Sequence, residues 1–281
     1  MEFEGQHADL AERWERGAAG WGRQADSFQE FAIRVSVWMV EQLDLQPGQQ
    51  VLELAAGPGD TGFLAAELVR PGGSLISSDA SKAMLGVAMG RARDLGVTNV
   101  EFKQIELDWI DLPTASVDAV LCRWGLMFAV DPAAALQEAR RVLRPGGRIA
   151  LAAWDEPERN PWATVTTQAL VELAHTEPPD PSAPGMFALA DPDRLQELLE
   201  TAGFVDAVVE AVQLNWLQAG LGAHLEEMLD LSCPLADVRE RLSSEEWGEV
   251  ADKVADLARP FTASDGSLRF PASSLVAAAS G

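Results

Sequence analysis

A short apolar run that enters a glycine-rich turn constrains the fold of this 281-residue chain more than any other feature. The run covers residues 50–55, and the turn that follows contains Gly57, Gly59 and Gly62 before a helical pattern begins. A buried strand that turns directly into a helix through glycines is typical of a parallel sheet with helices on both faces. We therefore expect an α/β fold organised around this turn.

The alternation of β-rich runs with amphipathic helical patterns continues along the chain and supports the same fold class. Strands are predicted at residues 50–55, 74–78, 100–105, 117–122, 148–153, 205–214 and 274–279. From this pattern we predict an N-terminal helical lid at 1–45, a core at 46–218 with a substrate-cover loop at 155–190, a helical insert at 219–265, and the final strand of the core in 266–281.

The charge balance excludes several kinds of partner. The chain has 44 Asp plus Glu against 21 Lys plus Arg, a net charge of −23, which opposes binding to nucleic acid or anionic membranes. No apolar run approaches the roughly 20 residues that cross a bilayer, and the first residues lack a signal-peptide pattern. The two cysteines, Cys122 and Cys233, lie far apart. We expect a cytoplasmic protein without membrane insertion, and the oligomeric state stays open.

Acidic residues around the turn discriminate between nucleoside cofactors. The three glycines satisfy GxGxxG, and Asp79 follows Gly59 by 20 residues at the end of the next predicted strand, where it suits ribose hydroxyls. Glu53 and Asp60 would repel the pyrophosphate of a dinucleotide. The ammonium and sulfonium of S-adenosylmethionine suit these carboxylates better. Two alternatives stay open: an NAD(P)-dependent oxidoreductase and a catalytically silent nucleoside-binding regulatory protein.

The stretch VLELAAGPG, residues 51–59, resembles the first motif of class I S-adenosylmethionine-dependent methyltransferases, and LISSDASKAML resembles their acidic second strand with the helix behind it. Further similar stretches follow in order at 106–113, 117–123 and 143–148. The resemblance is greatest to the ubiquinone/menaquinone-biosynthesis type and covers about residues 46–154. It implies a Rossmann-like doubly wound seven-stranded sheet, with an antiparallel last strand and helical cover. Ala55 departs from the family pattern, which usually has glycine there.

The resemblance also implies roles for individual residues. Gly57 and Gly59 would lie under the methionine part of the cofactor, Glu53 would anchor its amino group, and Asp79 would hold the ribose hydroxyls. The remaining implied cofactor residues are Ala55 and Arg123 at the methionine end, Ala80, Met84 and Trp109 beside the adenine, and Asp108 at its N6 amine.

Methyl transfer from a sulfonium is an in-line displacement, so the protein has mainly to align the reactants and exclude water. No general base is assigned, because the chain has no Tyr and its imidazoles, His7, His175 and His224, lie outside the motifs. No metal is predicted. Substrate contacts are expected beyond the carboxyl ends of the strands. The candidates are Trp14, Trp21, Trp124, Met127, Trp154, Arg159 and Phe187. They predict methyl transfer to an oxygen or carbon of a small, apolar or planar acceptor, with S-adenosylhomocysteine as product.

Overall fold

The computed structural model describes residues 2–181 and 183–281, with side chains from residue 9 onwards. The strands are β1 (Gln50–Glu53), β2 (Ser74–Asp79), β3 (Val100–Gln104), β4 (Val117–Arg123), β5 (Leu143–Trp154), β6 (Val205–Gln218) and β7 (Leu268–Ser280). The helices are α1 (Glu2–Gln42), α2 (Asp60–Leu68), α3 (Lys82–Leu95), α4 (Pro132–Val142), α5 (Pro161–Glu172), α6 (Pro192–Thr201), α7 (Leu221–Leu231), α8 (Cys233–Arg241) and α9 (Ser244–Ala258).

The seven described strands form one sheet in the order β3-β2-β1-β4-β5-β7-β6. Neighbouring strands from β3 to β5 pair in parallel, whereas β7 is antiparallel to both β5 and β6. This architecture confirms the predicted Rossmann-like doubly wound sheet with an antiparallel last strand. The strand order reverses between β1 and β4, and ligands bind doubly wound sheets outside the carboxyl ends at that point.

The strand boundaries differ from the predictions mainly in β5, β6 and β7. Strand β5 was predicted at 148–153 but begins at Leu143. Strand β6 was predicted at 205–214 but extends to Gln218, and β7 was predicted at 274–279 but begins at Leu268. Pro271 interrupts the β pattern in the sequence, yet it lies within β7 opposite Asn215. Proline lacks the amide donor and has a restricted φ, and it is tolerated here because β7 pairs with β5 only from Ser274 onwards.

Helix α1 runs through most of the segment predicted as a lid, as one continuous helix. Its residues contact the segment after β2, the end of β4 and the end of β5, through Glu15, Gln29 and Phe31 respectively. It therefore lies across the carboxyl edge of the sheet. Helices α7, α8 and α9 occupy the segment predicted as an insert, and α1 also packs against α7 and α8.

The interface between α1 and α7 depends on a glycine. A Cβ at Gly20 would lie 2.1 Å from the backbone oxygen of Asp230, so the two helices approach more closely than any side chain allows. Arg23 and Gln24 both bind the Asp230 carboxylate. In the described part of the chain, no helix is long and apolar enough to cross a membrane.

Candidate active site

The glycine turn after β1 leaves room for a ligand against its backbone. Gly57 and Gly59 have φ of +53° and +89°, in the left-handed region that glycine adopts without strain. A Cβ at Gly57 would meet nothing within 4 Å. Ala55 also has a positive φ, +48°, a conformation that glycine adopts with less strain. The turn therefore presents an open backbone surface at the carboxyl end of β1.

Glu53 lies at the end of β1 and is only 3% exposed. Its Oε1 accepts a hydrogen bond from the Gly62 amide at 2.7 Å, and its Oε2 accepts one from the Ser77 hydroxyl at 3.2 Å. Burial raises the pKa of Glu53 to about 8, against the lowering effect of these bonds and of Arg123. A cation beside this carboxylate would favour its ionised form.

Asp60, the first residue of α2, has a carboxylate oxygen that is not satisfied. Its Oδ1 pairs with Arg91 Nη2 at 2.5 Å, and Arg91 also reaches Asp26 of α1 at 2.8 Å. The other oxygen, Oδ2, is buried and has no hydrogen-bond partner among the described residues. An unpaired buried acceptor is costly, so this oxygen suits a cationic or hydrogen-bond-donating ligand group.

Asp79 ends β2 and faces the glycine turn. Its Oδ2 accepts from the Gly57 amide and its Oδ1 from the Ser81 amide, each at 2.9 Å. Because each carboxylate oxygen has two lone pairs, both can accept a further bond. Burial raises the pKa of Asp79 to about 6. The Ser81 hydroxyl donates to Glu15 of α1 at 2.7 Å, so α1 borders this part of the site.

The predicted adenine-side residues differ widely in exposure. Met84 is buried in the first turn of α3, whereas Trp109 is 73% exposed. Ala80 is half-buried, and its carbonyl accepts from Gln104 at 2.8 Å. Asp108 directly precedes Trp109 in the turn after β3. The indole face is accessible to a flat ligand.

Arg123, at the end of β4, lies between the acidic turn and a group of aromatic rings. Its Nη1 donates to Gln29 Oε1 and to Ser36 Oγ of α1, each at 3.0 Å. The guanidinium carbon is 5.0 Å from the centre of the Trp124 ring. Burial lowers the pKa of Arg123, while Asp60 and Glu53 act against this lowering.

Nine aromatic side chains beyond the carboxyl ends of the strands form one network of ring contacts, here called the aromatic cluster. Its members are Trp14, Trp21, Phe28, Phe31, Trp124, Phe128, Trp154, Trp162 and Trp216. Trp124 and Trp154 stack with centres 4.1 Å apart, and Trp162 stacks on Trp216 at 4.4 Å. The cluster thus contains two nearly parallel indole pairs.

The structure brings four of the predicted substrate residues, Trp14, Trp21, Trp124 and Trp154, into the aromatic cluster. The sequence prediction did not assign the cluster members Phe28, Phe31, Phe128, Trp162 and Trp216. A signal existed for Phe28, because Trp14, Trp21 and Phe28 recur every seven residues and so share one face of α1. Trp216 lies beyond the predicted end of β6, and no sequence feature places it near α1.

The other three predicted substrate residues lie in different environments. Met127 is buried in the short 3-10 turn Leu126–Phe128, and Phe187 packs, half-buried, against the core. The Arg159 side chain is 57% exposed and lies 3.7 Å from carboxylates of Asp155 and Glu156. Arg159 therefore points to its own loop and solvent.

The His224 imidazole is unsuited to act as a general base. His224 is fully buried in α7, burial lowers its pKa to about 4, and neither ring nitrogen has a hydrogen-bond partner among the described residues. The side chain of His7 lies outside the described residues. Within the described part of the chain, no group of three or more His, Cys, Asp or Glu side chains has the arrangement of a metal site.

Comparison with known proteins decides the family. Residues 45–203, more than half of the chain, match the family model described as "Methyltransferase domain". The chain belongs to the methyltransferase domain family. This confirms the resemblance to class I S-adenosylmethionine-dependent methyltransferases, and S-adenosylmethionine as the cofactor of the family.

Curated relatives match this methyltransferase-domain protein over less than half of its length. An uncharacterized 37.1 kDa protein in transposon TN4556 of Streptomyces fradiae is 41% identical over 120 residues, which are 42% of this chain and 34% of that protein. The ubiquinone/menaquinone biosynthesis C-methyltransferase UbiE of Cellvibrio japonicus is 33% identical over 119 residues, 42% of this chain and 48% of that enzyme. The matched region thus spans half or less of each relative.

Solved structures resemble the methyltransferase-domain protein over most of its length. A putative methyltransferase from Bacillus halodurans has a TM-score of 0.60 and 20% identity, covering 87% of this chain and 97% of that chain. The [4+2]-cyclase SpnF has a TM-score of 0.55 and 19% identity, covering 89% and 81%. At these identities the likeness shows the shared fold.

Proposed function

We propose that this protein transfers the methyl group of S-adenosylmethionine to an oxygen or carbon of a small, planar, apolar acceptor. The observation that carries the proposal is the meeting of two surfaces at Arg123. On one side lies the acidic glycine turn with Glu53 and Asp60, and on the other lies the aromatic cluster. A sulfonium donor and a flat acceptor bound to these two surfaces would be neighbours.

The residues of the turn fit the methionine and ribose parts of the cofactor. The unpartnered Asp60 Oδ2 and the buried Glu53 carboxylate suit the ammonium group. The open space at Gly57 suits close approach of the ligand to the backbone. Asp79 would accept from the ribose hydroxyls with its remaining lone pairs. Gly59 and Ala55 complete the turn.

On the adenine side, we assign Ala80, Met84 and Trp109 to the ring and Asp108 to the N6 amine. The exposed Trp109 face supports this assignment, because an indole at the surface gains from covering by a flat base. These assignments match the family pattern residue by residue. Their support from the structure is the placement of all four residues in the segments that follow β2 and β3.

For the acceptor, we assign contacts to the half-buried Trp14, Trp21 and Phe187, while Trp124, Trp154 and Met127 are buried and would support these contacts from the core. Stacked and edge-on rings select flat, apolar ligands. The UbiE relative is by its name a C-methyltransferase of quinone biosynthesis, which supports a planar ring as acceptor and carbon as one acceptor atom. Arg159 is not assigned a role here because it faces its own loop.

For methyl transfer, these residues have to align the acceptor atom with the methyl group and exclude water. The acceptor atom forms a bond to the methyl carbon while the carbon–sulfur bond breaks, and the electron pair returns to sulfur, giving S-adenosylhomocysteine. Helix α1 would act as the lid that shields this step, since it borders both the Ser81 side and the aromatic cluster. The 155–190 segment and the helices of 219–265 would complete the cover.

Calorimetric titration with S-adenosylmethionine, S-adenosylhomocysteine, NAD and NADP tests the cofactor. We expect binding of the first two alone. Binding of NAD without S-adenosylmethionine would overturn the proposal. Transfer of labelled methyl to a panel of planar quinols and phenols then tests the reaction, and cofactor binding without any turnover would favour the regulatory alternative.

Asp79→Ala tests the ribose assignment. Loss of the hydrogen bonds to the ribose should weaken S-adenosylmethionine binding at least tenfold, since bonds to charged groups contribute about 1.5–3 kcal/mol. The matched control is Asp94→Ala, which removes an exposed carboxylate on α3. Equal affinities of the two folded variants would contradict the assignment.

A further inference from the structure

Arg123 makes no direct ion pair with a side chain of the described residues, although Asp60 and Glu53 lie near enough to act on its pKa. Among the described residues, no carboxylate oxygen lies within 4.0 Å of its nitrogens, and Asp60 is paired instead with Arg91. Only Nη1 makes hydrogen bonds to described residues, with Gln29 and Ser36. Nη2 and Nε keep unused donors. A partly buried guanidinium in this state favours an anionic ligand.

The guanidinium of Arg123 lies beside the aromatic cluster. The guanidinium carbon is 5.0 Å from the Trp124 ring centre and 5.9 Å from that of Phe28, and both rings belong to the aromatic cluster. Gln29 and Ser36 hold Nη1 of the guanidinium to α1. A planar ligand bound to the cluster would therefore place its polar edge against Arg123.

The cofactor has another cation for its own carboxylate. That carboxylate is attached to the same carbon as the ammonium group assigned to Asp60 and Glu53. Arg91 already pairs with Asp60, and its Nε is buried without a hydrogen-bond partner among the described residues. Arg91, which also pairs with Asp26, therefore places a second positive charge beside Asp60, and Arg123 is left for another anion.

We propose that Arg123 binds the oxyanion of the acceptor, so that the acceptor is a planar molecule with an acidic hydroxyl group. This inference rests on the proposed methyl transfer and deepens it. The hydroxyl proton leaves to solvent when the acceptor binds, which replaces removal by a protein base. An electron pair of the oxyanion forms the bond to the methyl carbon, either from the oxygen or from a conjugated ring carbon. The carbon–sulfur bond breaks at the same time, and its electron pair goes to sulfur. Attack through carbon ends with loss of the ring proton to water.

The test measures the hydroxyl pKa of bound 1-naphthol by its ultraviolet absorbance, in the presence of S-adenosylhomocysteine so that no turnover occurs. For the wild-type protein we expect the hydroxyl pKa of bound naphthol to lie about one to three units below its value in water, because the Arg123 cation beside the hydroxyl favours the naphtholate anion. Arg123→Gln should abolish the shift, and Arg123→Lys should keep part of it. The matched control, Arg194→Gln on α6, should keep all of it.

The affinity for S-adenosylmethionine shows whether Arg123 binds the oxyanion of the acceptor or the carboxylate of the cofactor. We expect Arg123→Gln to change the affinity for S-adenosylmethionine by less than about threefold. A loss of tenfold or more, with an unchanged naphthol pKa, would assign Arg123 to the cofactor carboxylate and overturn the inference. A shift that persists in Arg123→Gln would overturn it as well. If Arg123→Gln does not fold, as judged by circular dichroism, retention of at least part of the pKa shift by Arg123→Lys supports the role of the charge, and complete loss of the shift contradicts it.

Failure of the proposed function itself would look different. If the wild-type protein binds no S-adenosylmethionine, the proposed methyl transfer is wrong, whatever the result of the naphthol measurement. If it binds S-adenosylmethionine and methylates neutral planar acceptors but leaves the pKa of bound naphthol unshifted, only the role of Arg123 falls. If it binds S-adenosylmethionine but no naphthol, the acidic acceptor is excluded and the cofactor half of the proposal stands.

Discussion

Ala55 occupies a backbone conformation that costs an L-residue about 1–2 kcal/mol. Its φ is +48°, and its methyl group faces Gly125, the residue that begins the turn after β4. A Cβ at Gly125 would lie 2.4 Å from the Ala55 Cβ and 2.9 Å from Cys122 Sγ. The two residues therefore share a space that holds only one methyl group.

Gly125→Ala should destabilise the protein by about 1–3 kcal/mol, because the new methyl overpacks this space. Ala55→Gly in the same chain removes the opposing methyl and the left-handed alanine, so the double variant should recover part of the loss. Urea unfolding of the wild type, both single variants and the double variant measures the coupling. Strict additivity would show that the two residues do not share the space.

Glu53 should make stability fall with increasing pH. Its pKa in the folded protein is about 8, above the usual 4.5, so the folded state holds a proton that the unfolded state has lost. This contribution is fully present below about pH 4.5 and is lost as pH rises through 8. Asp79, with a pKa of about 6, acts in the same direction.

The free energy of unfolding without ligand should therefore decline by a few kcal/mol between pH 5 and about 8.5. Glu53→Gln should flatten this decline, because glutamine does not titrate. Urea unfolding across the pH range measures both proteins. Parallel profiles for the two would show that Glu53 is not the residue responsible.

Contiguous sequence allowed prediction of the acidic turn but not of the aromatic cluster. Glu53, Asp60 and Asp79 lie on a strand, at the start of the following helix and on the next strand of one βαβ unit, whose geometry is fixed by local rules. The cluster instead joins α1, the ends of β4 and β5, α5 and β6. Periodicity shows which residues of each element share a face, but it does not show which faces meet.

At the scale of elements, the position of α1 could not be predicted from the sequence, although α1 is the lid in the proposed function. Its helical character follows from the sequence, whereas its position depends on contacts with distant segments. Gly20 permits the closest of these, against the Asp230 backbone. The interface also includes Ser27, whose hydroxyl donates to Glu227 at 2.8 Å.

Gly20→Ala should force α1 away from α7 and destabilise the protein by about 1–3 kcal/mol. The control is Gly248→Ala in α9, where a Cβ meets nothing within 4 Å and alanine should stabilise the helix by up to about 1 kcal/mol. Hydrogen exchange should show faster exchange in α1 for the first variant only. Slow exchange there would mean that α1 adapts without separating.

At the scale of the whole molecule, the net charge of −23 opposes compactness. Salt screens this repulsion. Salt also weakens exposed ion pairs, but each such pair contributes little to stability. Raising NaCl from about 20 mM to about 500 mM should therefore raise Tm by a few degrees. Scanning calorimetry measures the change, with KCl as the control for a specific sodium effect. A lower Tm in salt would show that ion pairs such as Arg23–Asp230 dominate instead.

The absence of tyrosine gives the aromatic cluster an optical consequence. Six of the nine tryptophans belong to the cluster, and four of them form the two stacked pairs. Electronic transitions of indoles stacked this closely couple with each other, and no phenol signal overlaps them. The near-ultraviolet spectrum of the whole molecule is therefore mostly a spectrum of its candidate active site, and any ligand that separates the stacked rings changes it directly.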